Sequence, residues 1–282
     1  MEERNLNTWE EFKTELAVLR QEREKLLESE GGPLLFRGQA DACWLLSTTL
    51  DRKQERMRFA DYYRLIGKIK PEIESLTRAE WPIPEYPEVE KLVREYYEFS
   101  LALGFGRWPA YAYMAHLRHH GFPSPLLDWS RSPYVAAFFA FSRAVANRVS
   151  IYVLSRRRFQ VTGNQMNNVF YPGPNVTTHR RHVLQQSQYT LCLTYDADWR
   201  FGAYDAVFNE GHGQQGICWK FTIPASERPQ VLHELDEHNL NAFSLFGSEE
   251  SLMETLSTRE FSFAEKADST RSSEAAMAVQ AR

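Results

Sequence analysis

The chain of 282 residues is 43% hydrophobic and 13% aromatic, enough to bury the core of one large domain or of one domain with appendages. Its formal net charge of −4 excludes a strong general attraction to nucleic acid or to an anionic membrane. Cys43, Cys192 and Cys218 are far apart and follow no metal-ligand spacing, which predicts free thiols in a reducing cytoplasm.

The sequence also carries no sign of membrane insertion or export. The N-terminal residues lack the apolar stretch of a signal peptide. The uncharged run between Arg131 and Arg143 has eleven residues, well short of the roughly 20 that span a bilayer. We therefore expect a soluble cytoplasmic protein without membrane contacts.

The first half of the chain has mainly helical patterns. Thr8 and Glu11 form a capping box before apolar residues at helical spacing, which predicts a helix up to residue 29. Residues 31–33 (Gly-Gly-Pro) end that helix, and Leu34-Leu35-Phe36 is typical of a buried strand. Further helices are predicted over residues 53–78, 86–103 and 108–120.

The second half has more strand patterns. An apolar helix over residues 133–146 is followed by β-branched and aromatic runs, which predict strands over 149–154, 189–193 and 217–223. Two helices are expected after them, over residues 229–239 and 249–256. This order predicts an α+β fold in which a helical N-terminal part packs on a mostly antiparallel sheet. The expected organisation is an N-terminal helix in 1–29, one domain in 30–261 and a disordered tail in 262–282.

Residues 119–130 combine features that point to a binding site. Gly121 and two prolines fix a non-helical path, and Asp128 stands between Leu127 and Trp129, where an unpaired charge is costly. Either Ser130 or Ser132 could cap the next helix. We interpret the segment as a rigid turn that brings histidine, aspartate and serine together.

The histidines at the preceding helix end favour ligand binding over metal binding. His116, His119 and His120 lack a nearby third ligand of the usual kind, and histidine at a helix C-terminus is also favoured by the helix dipole. We predict that His119 hydrogen-bonds a ligand hydroxyl and that no metal is bound.

Charged residues elsewhere allow two roles each. Arg37 could hold a phosphate or carboxylate ligand, or pair with a structural carboxylate; Gly38 and Gln39 favour the ligand. Asp128 could be a catalytic carboxylate or a hydrogen-bond acceptor for a ligand, but we expect a structural brace that accepts backbone N–H groups and pairs with Arg37 or Arg181. Glu249, at a helix start, could serve the helix dipole or act as a catalytic glutamate, and the sequence leaves both open.

Three polar segments are ambiguous. Residues 211–216 match G-x-G-x-x-G but precede a strand, so we predict a hairpin loop and no dinucleotide fingerprint. The arginines of 156–158 and 180–181 could contact phosphates or mark solvated edges. The amides around Gln185 are typical of a polar pocket wall.

The motif Phe36-Arg37-Gly38-Gln39, taken with residues 118–130 and the apolar helix after them, resembles the FRG domain family. The family pattern is approximately Gln-His-x-Gly-x-Pro-Thr-Arg-Leu-Leu-Asp-Trp-Thr. This chain departs from it with Arg118 for Gln, Pro125 for Arg, and Ser124 and Ser130 for Thr. Losing the arginine at 125 removes one possible ligand contact.

Two later family motifs are also similar, so the resemblance covers about residues 30–260. Arg181, Gln185, Tyr189 and Thr190 match an Arg-x-x-x-Gln pattern with a following aromatic-Thr. Residues 244–248 are similar to the family's Ser-Leu-Phe-Pro-Asp.

FRG domains are in turn similar to ADP-ribosyltransferases, which place an arginine, a hydroxyl-and-aromatic segment and a late glutamate around NAD. The resemblance therefore implies an ADP-ribosyltransferase-like fold and an enzyme that uses or cleaves NAD, in antiviral defence or as a toxin, with a protein or nucleic-acid acceptor. The catalytic residues it implies are Arg37, His119, Asp128 and Glu249. The residues implied to bind NAD are Gly38, Gln39, Trp129, Ser130, Tyr134, Arg181 and Gln185.

Two other functions remain open. One is a non-catalytic sensor that binds a nucleotide or nucleic acid, in which the surface arginines matter more than Glu249. The other is a structural interaction module, in which Asp128 is only a brace of the fold.

Overall fold

The computed structural model of the chain describes residues 1–26, 31–91, 108–157, 167–173, 176, 178–210 and 216–263. Within these ranges, no helix has the length and apolar character that crossing a bilayer requires. Most of the predicted tail and the loop 211–215 lie outside the described residues.

Strands and helices are interleaved along the chain. The strands are β1 (Glu2–Asn5), β2 (Gly31–Gln39), β3 (Leu127–Ser130), β4 (Arg148–Arg157), β5 (Asn167–Phe170), β6 (Ser187–Asp196), β7 (Asp198–Phe201) and β8 (Gly216–Pro224). The labelled α-helices are α1 (Trp9–Leu26), α2 (Phe59–Thr77), α3 (Tyr111–His119), α4 (Pro133–Phe141), α5 (Arg181–Leu184), α6 (Tyr204–Glu210), α7 (Arg228–Glu237), α8 (Ala242–Phe246) and α9 (Glu249–Ser257). A 3₁₀ turn, Ala225–Glu227, and a π-helical turn, Thr258–Phe263, flank the last helices.

The strands of the described residues form one sheet in the order β1-β8-β4-β2-β3-β6-β5, and β7 pairs with β6. The β1–β8 pair is parallel, and the other pairs are antiparallel. The predicted mixed fold with a mostly antiparallel sheet is therefore confirmed.

The N-terminal part is less helical than predicted. Residues 2–5 form an edge strand although they are Glu-Glu-Arg-Asn, because backbone pairing with β8 needs no apolar pattern. Residues 53–56 form turns, so the second helix begins at Phe59 and not at residue 53. Of the predicted helix 86–103, residues 86–91 are helical and the rest lies outside the described residues.

Gly38 allows α4 to pack directly on β2. A Cβ atom at Gly38 would lie 1.9 Å from the backbone oxygen of Ala136 and 2.7 Å from the backbone nitrogen of Ala140. Ser132, not Ser130, caps α4, because its Oγ accepts from the backbone N–H of Val135 at 3.3 Å. The close packing fixes the position of β2 against the helix.

Side chains alternate across β2 and so separate the core from the site. Leu34 and Phe36 face the cluster built around α1 and α4. Leu35 faces the other side of the sheet, in a cluster with Trp129 and other aromatic residues. Every second side chain of a strand lies on the same face of the sheet. Arg37 and Gln39, two and four residues after Leu35, therefore lie on the same face as Leu35.

Candidate functional site

A pocket of about 970 Å³ opens between the end of β2, the loop after it, the end of α3, β3 and the start of β6. Its lining is rich in positive charge. The arginines are Arg37, Arg52, Arg118, Arg143 and Arg181, and Asp128 supplies the single carboxylate among the described lining residues.

Asp128 organises two of the arginines. The Nη1 of Arg37 donates to the backbone oxygen of Asp128 at 2.9 Å and lies 3.9 Å from its Oδ2. Arg118 donates from Nη2 to the same Oδ2. The side chain of Arg37 is 14% exposed and that of Asp128 is 33% exposed, so both are shielded on one side and open to the pocket on the other.

Burial and the neighbouring arginines both act against the charge of Arg37. Burial lowers the pKa of Arg37 to about 10; Asp128 opposes this shift, while the charges of Arg118 and Arg52 add to it. Burial and Arg118 also lower the pKa of Arg52. The buried Nε atoms of Arg37 and Arg118 have no hydrogen-bond partner. Such a cluster is suited to an anionic ligand.

His119 is a neutral ring at the same pocket. Its Nε2 lies 2.7 Å from the hydroxyl of Tyr189. Burial lowers the pKa of His119 to about 4, because Asp128 offsets only part of the burial and of the repulsion from His182, His179 and Arg118. His119 therefore offers the pocket an uncharged group near neutral pH.

The pocket brings most of the predicted site residues together. Arg37, Gly38, Gln39, His119, Asp128, Trp129, Ser130, Arg181 and Gln185 all line it. Asp128 pairs with Arg37, one of its two predicted partners, and not with Arg181. Arg181 instead lies over the ring of Phe246, with 5.4 Å from its Cζ to the ring centroid.

The polar groups beside the arginines are fixed by backbone contacts. Gln39 donates from Nε2 to the carbonyl of Leu45 at 3.2 Å, and Gln185 donates from Nε2 to the carbonyl of Leu245 at the same distance. Ser130 donates to the carbonyl of Gln185 at 2.8 Å. Gln185 and Ser187 thus belong to a polar wall of the pocket, as the amides around Gln185 predict, whereas Gln186 does not line it.

Three predicted residues are placed less favourably. Trp129 is only 2% exposed and donates from Nε1 to Thr190, so its ring is part of the core. Tyr134 does not line the pocket, because it faces α1, where its ring lies 6.3 Å from that of Trp9. Glu249 is exposed at the start of α9 and also lies outside the lining.

Sequence reasoning missed several lining residues. In the sequence, Arg118 stands out only as a departure from the family pattern, yet it makes the closest contact with Asp128. Arg52 and Arg143 lie in segments without a motif. Trp44, 50% exposed in the loop after β2, had no periodic pattern around it. The spacing of Tyr189 from Gln185 was the one usable signal.

The histidines near the pocket do not form a metal centre. The rings of His116 and His120 lie 4.3 Å apart, and His120 is 6.0 Å from His179. Within the described ranges, no group of three or more His, Cys, Asp or Glu is arranged to hold a metal ion. Cys43, Cys192 and Cys218 are free thiols, as predicted.

Residues 32–148 match the family model of the FRG domain. The match contains Arg37, Gly38, His119 and Asp128, and it ends before Arg181 and before the predicted end of the domain at residue 261. No curated protein and no solved structure matches the chain.

Proposed function

We propose that this chain, which carries an FRG domain over residues 32–148, binds NAD in the arginine-lined pocket and breaks its nicotinamide–ribose bond. The observation that carries the proposal is the charge of the pocket, since five arginines and one carboxylate line it among the residues that the structure describes. An ADP-ribosyltransferase-like fold and a cytoplasmic location are parts of the same proposal.

The size and chemistry of the pocket support a dinucleotide ligand. A volume of about 970 Å³ is near the upper end for small-molecule sites. The pyrophosphate of NAD carries two negative charges, which the Arg37 and Arg118 guanidinium groups can bind through paired N–H donors. His119 can donate to a ribose hydroxyl or to another neutral oxygen.

The proposed reaction needs a carboxylate near the ribose. As the bond to nicotinamide breaks, the ribose becomes cationic, and water or an acceptor group then bonds to its carbon and releases a proton. A preorganised carboxylate stabilises that cation. Among the described residues that line the pocket, Asp128 is the one carboxylate that could take this role. Glu249, exposed at the start of α9, is the proposed alternative.

A second function is supported by the pairing of Asp128. A carboxylate that already pairs with Arg118 and approaches Arg37 can serve as a brace, which suits a sensor that binds a nucleotide without chemistry. The two functions imply different biological roles. An enzyme that cleaves NAD would suit a toxin or an antiviral defence effector, since NAD consumption is harmful to the cell. A sensor would regulate a partner instead.

The experiment is to measure NAD binding by calorimetry and nicotinamide release by chromatography with the same protein. We expect Arg37→Ala to weaken NAD binding by about 10-fold or more, since hydrogen bonds to charged groups contribute about 1.5–3 kcal/mol. Replacing the carboxylate that acts in the reaction by its amide, in Asp128→Asn or Glu249→Gln, should lower the rate of nicotinamide release by about 10²–10³.

The control is Arg64→Ala, because Arg64 is exposed on α2 and pairs with Asp61 away from the pocket. It should change neither measurement. Binding without nicotinamide release in the presence of candidate protein and nucleic-acid acceptors would favour the sensor. Absence of NAD binding would refute the NAD-cleaving enzyme and would leave only a sensor for another nucleotide or for nucleic acid.

A further inference from the structure

We propose that Tyr189 is a positioning residue for His119: its hydroxyl donates to Nε2 and so holds the ring's proton on Nδ1. The pocket then contains a neutral N–H donor of fixed orientation. This inference deepens the proposed function and rests on it for its role in ligand binding. The geometry itself can be tested without any ligand.

The contact between the two side chains is short and well fixed. The Tyr189 oxygen and the His119 Nε2 are 2.7 Å apart, and their rings are nearly perpendicular at 81°. Tyr189 is 2% exposed, stacked on His182 with 5.6 Å between ring centroids, and met edge-on by Tyr111. Its hydroxyl cannot turn away without breaking this packing.

The direction of the hydrogen bond follows from the two groups that share it. Burial raises the pKa of Tyr189, so the phenol keeps its proton and can donate it. The hydroxyl lies 2.7 Å from Nε2 of a neutral imidazole, and the unprotonated ring nitrogen is the acceptor in this pair. A neutral imidazole that accepts at Nε2 carries its hydrogen on Nδ1.

The surroundings of His119 favour the neutral ring. The groups that act on it are Asp128 on β3, Arg118 on its own helix, His182 on α5, His179 just before α5, and Tyr189 on β6. Of these, only Asp128 favours protonation, and its carboxylate is already bonded to Arg118. The donor at Nδ1 therefore persists across the neutral pH range, and it can bind an oxygen acceptor of the ligand without adding charge.

The test is a ring-nitrogen NMR spectrum of the full chain with ¹⁵N-labelled histidine, in which His119 is assigned by its loss in His119→Gln. We expect a protonated Nδ1 and an unprotonated, hydrogen-bonded Nε2 at pH 7. In Tyr189→Phe, the ring should lose this fixed tautomer and its pKa should rise by about half to one pH unit, because a hydrogen bond that favours the neutral form is lost.

The matched control is Tyr111→Phe, which removes the hydroxyl of a neighbouring buried tyrosine that donates to Gly173 and does not line the pocket. It should leave the His119 signals unchanged. A wild-type ring protonated on Nε2, or one that averages both tautomers, would overturn the inference. That spectrum decides the question even if Tyr189→Phe does not fold.

A second measurement separates this inference from the proposed function. NAD binding is followed between pH 5 and 8 in the wild type and in Tyr189→Phe. We expect nearly constant NAD affinity across this range in the wild type, and an affinity about 3-fold lower or more at pH 7 in the variant, because the N–H donor of His119 is no longer held in one orientation. If the NMR pattern is as expected but NAD does not bind at any pH, the proposed function fails and the positioning role stands. If NAD binds but the tautomer is reversed, only the positioning role fails.

Discussion

The substitution Gly38→Ala tests the packing that positions the pocket. The added Cβ would lie 1.9 Å from the backbone oxygen of Ala136 and 2.7 Å from the backbone nitrogen of Ala140, where real contacts require more than 3 Å. Both atoms belong to the backbone of α4, so no side-chain rotation can relieve the overlap. Either β2 or the whole helix must move.

The kind of overlap gives the expected loss in the free energy of unfolding. Overpacking of a well-packed core costs about 1–3 kcal/mol and sometimes more, and a clash with helix backbone belongs at the upper end. We therefore expect about 3 kcal/mol, a large share of the 5–15 kcal/mol typical of folded domains. That loss corresponds to a decrease in melting temperature of about 5–10 °C for a chain of this size. Because Arg37 adjoins Gly38, NAD affinity should fall as well.

The assay is urea and thermal unfolding of Gly38→Ala beside Gly67→Ala. Gly67 lies on the exposed face of α2, where a Cβ would meet no atom within 4 Å. The control should gain about 0.5–1 kcal/mol from the better helix propensity of alanine. A melting temperature for Gly38→Ala within 1 °C of the wild type, or an equal loss in both variants, would refute the reasoning.

Two further predictions concern the charged groups. Asp128→Asn should reduce the free energy of unfolding by about 1–3 kcal/mol, because Arg37 and Arg118 then repel each other without a carboxylate between them; urea titration measures this, and no change would contradict a bracing role. The pKa of His119 is 6.5 in the unfolded chain and about 4 in the fold, so below pH 6.5 the unfolded chain takes up a proton that the fold resists. The free energy of unfolding should therefore be at its full value above about pH 6.5 and should decrease as the pH falls towards 4. The contribution is about 1–2 kcal/mol after a discount for partial exposure, and His119→Gln should therefore lose less stability than the wild type between pH 7 and 4.5.

The sequence predicted the parts of the fold that depend on local patterns. The helix of residues 108–120 is observed at Tyr111–His119, and the strand of residues 217–223 at Gly216–Pro224. Their apolar periodicity and punctuation by glycine or proline are strong local signals. The short strands β1, β3, β5 and β7 were missed, because each has four residues, too few to show a periodic pattern, and each is stabilised by pairing with a longer strand.

The site likewise contains residues that the sequence could place and residues that depend on how distant elements pack. Arg37 and Asp128 could be placed in one pocket only from the motifs that carry the family resemblance, since the sequence predicted a strand before Arg37 but a turn around Asp128, where the structure has β3. The place of Arg118 in the pocket could not be predicted from the sequence. Its direction depends on the last turn of α3 and on the angle at which that helix meets β3. The position of Glu249 outside the lining likewise depends on how α8 and α9 pack, which no residue pattern specifies.

The departure at position 118 places a positive charge beside Asp128. The family pattern that this chain resembles has an arginine three residues before the aspartate, where Pro125 stands here, and a glutamine where Arg118 stands. In this structure Arg118 bonds Asp128 and lines the pocket, so a guanidinium of α3 lies beside the carboxylate. The pattern has a neutral glutamine at this position, so Arg118 adds a positive charge that attracts the carboxylate. Leu126 is fully buried and Pro125 holds the turn before it, so the turn can serve packing alone.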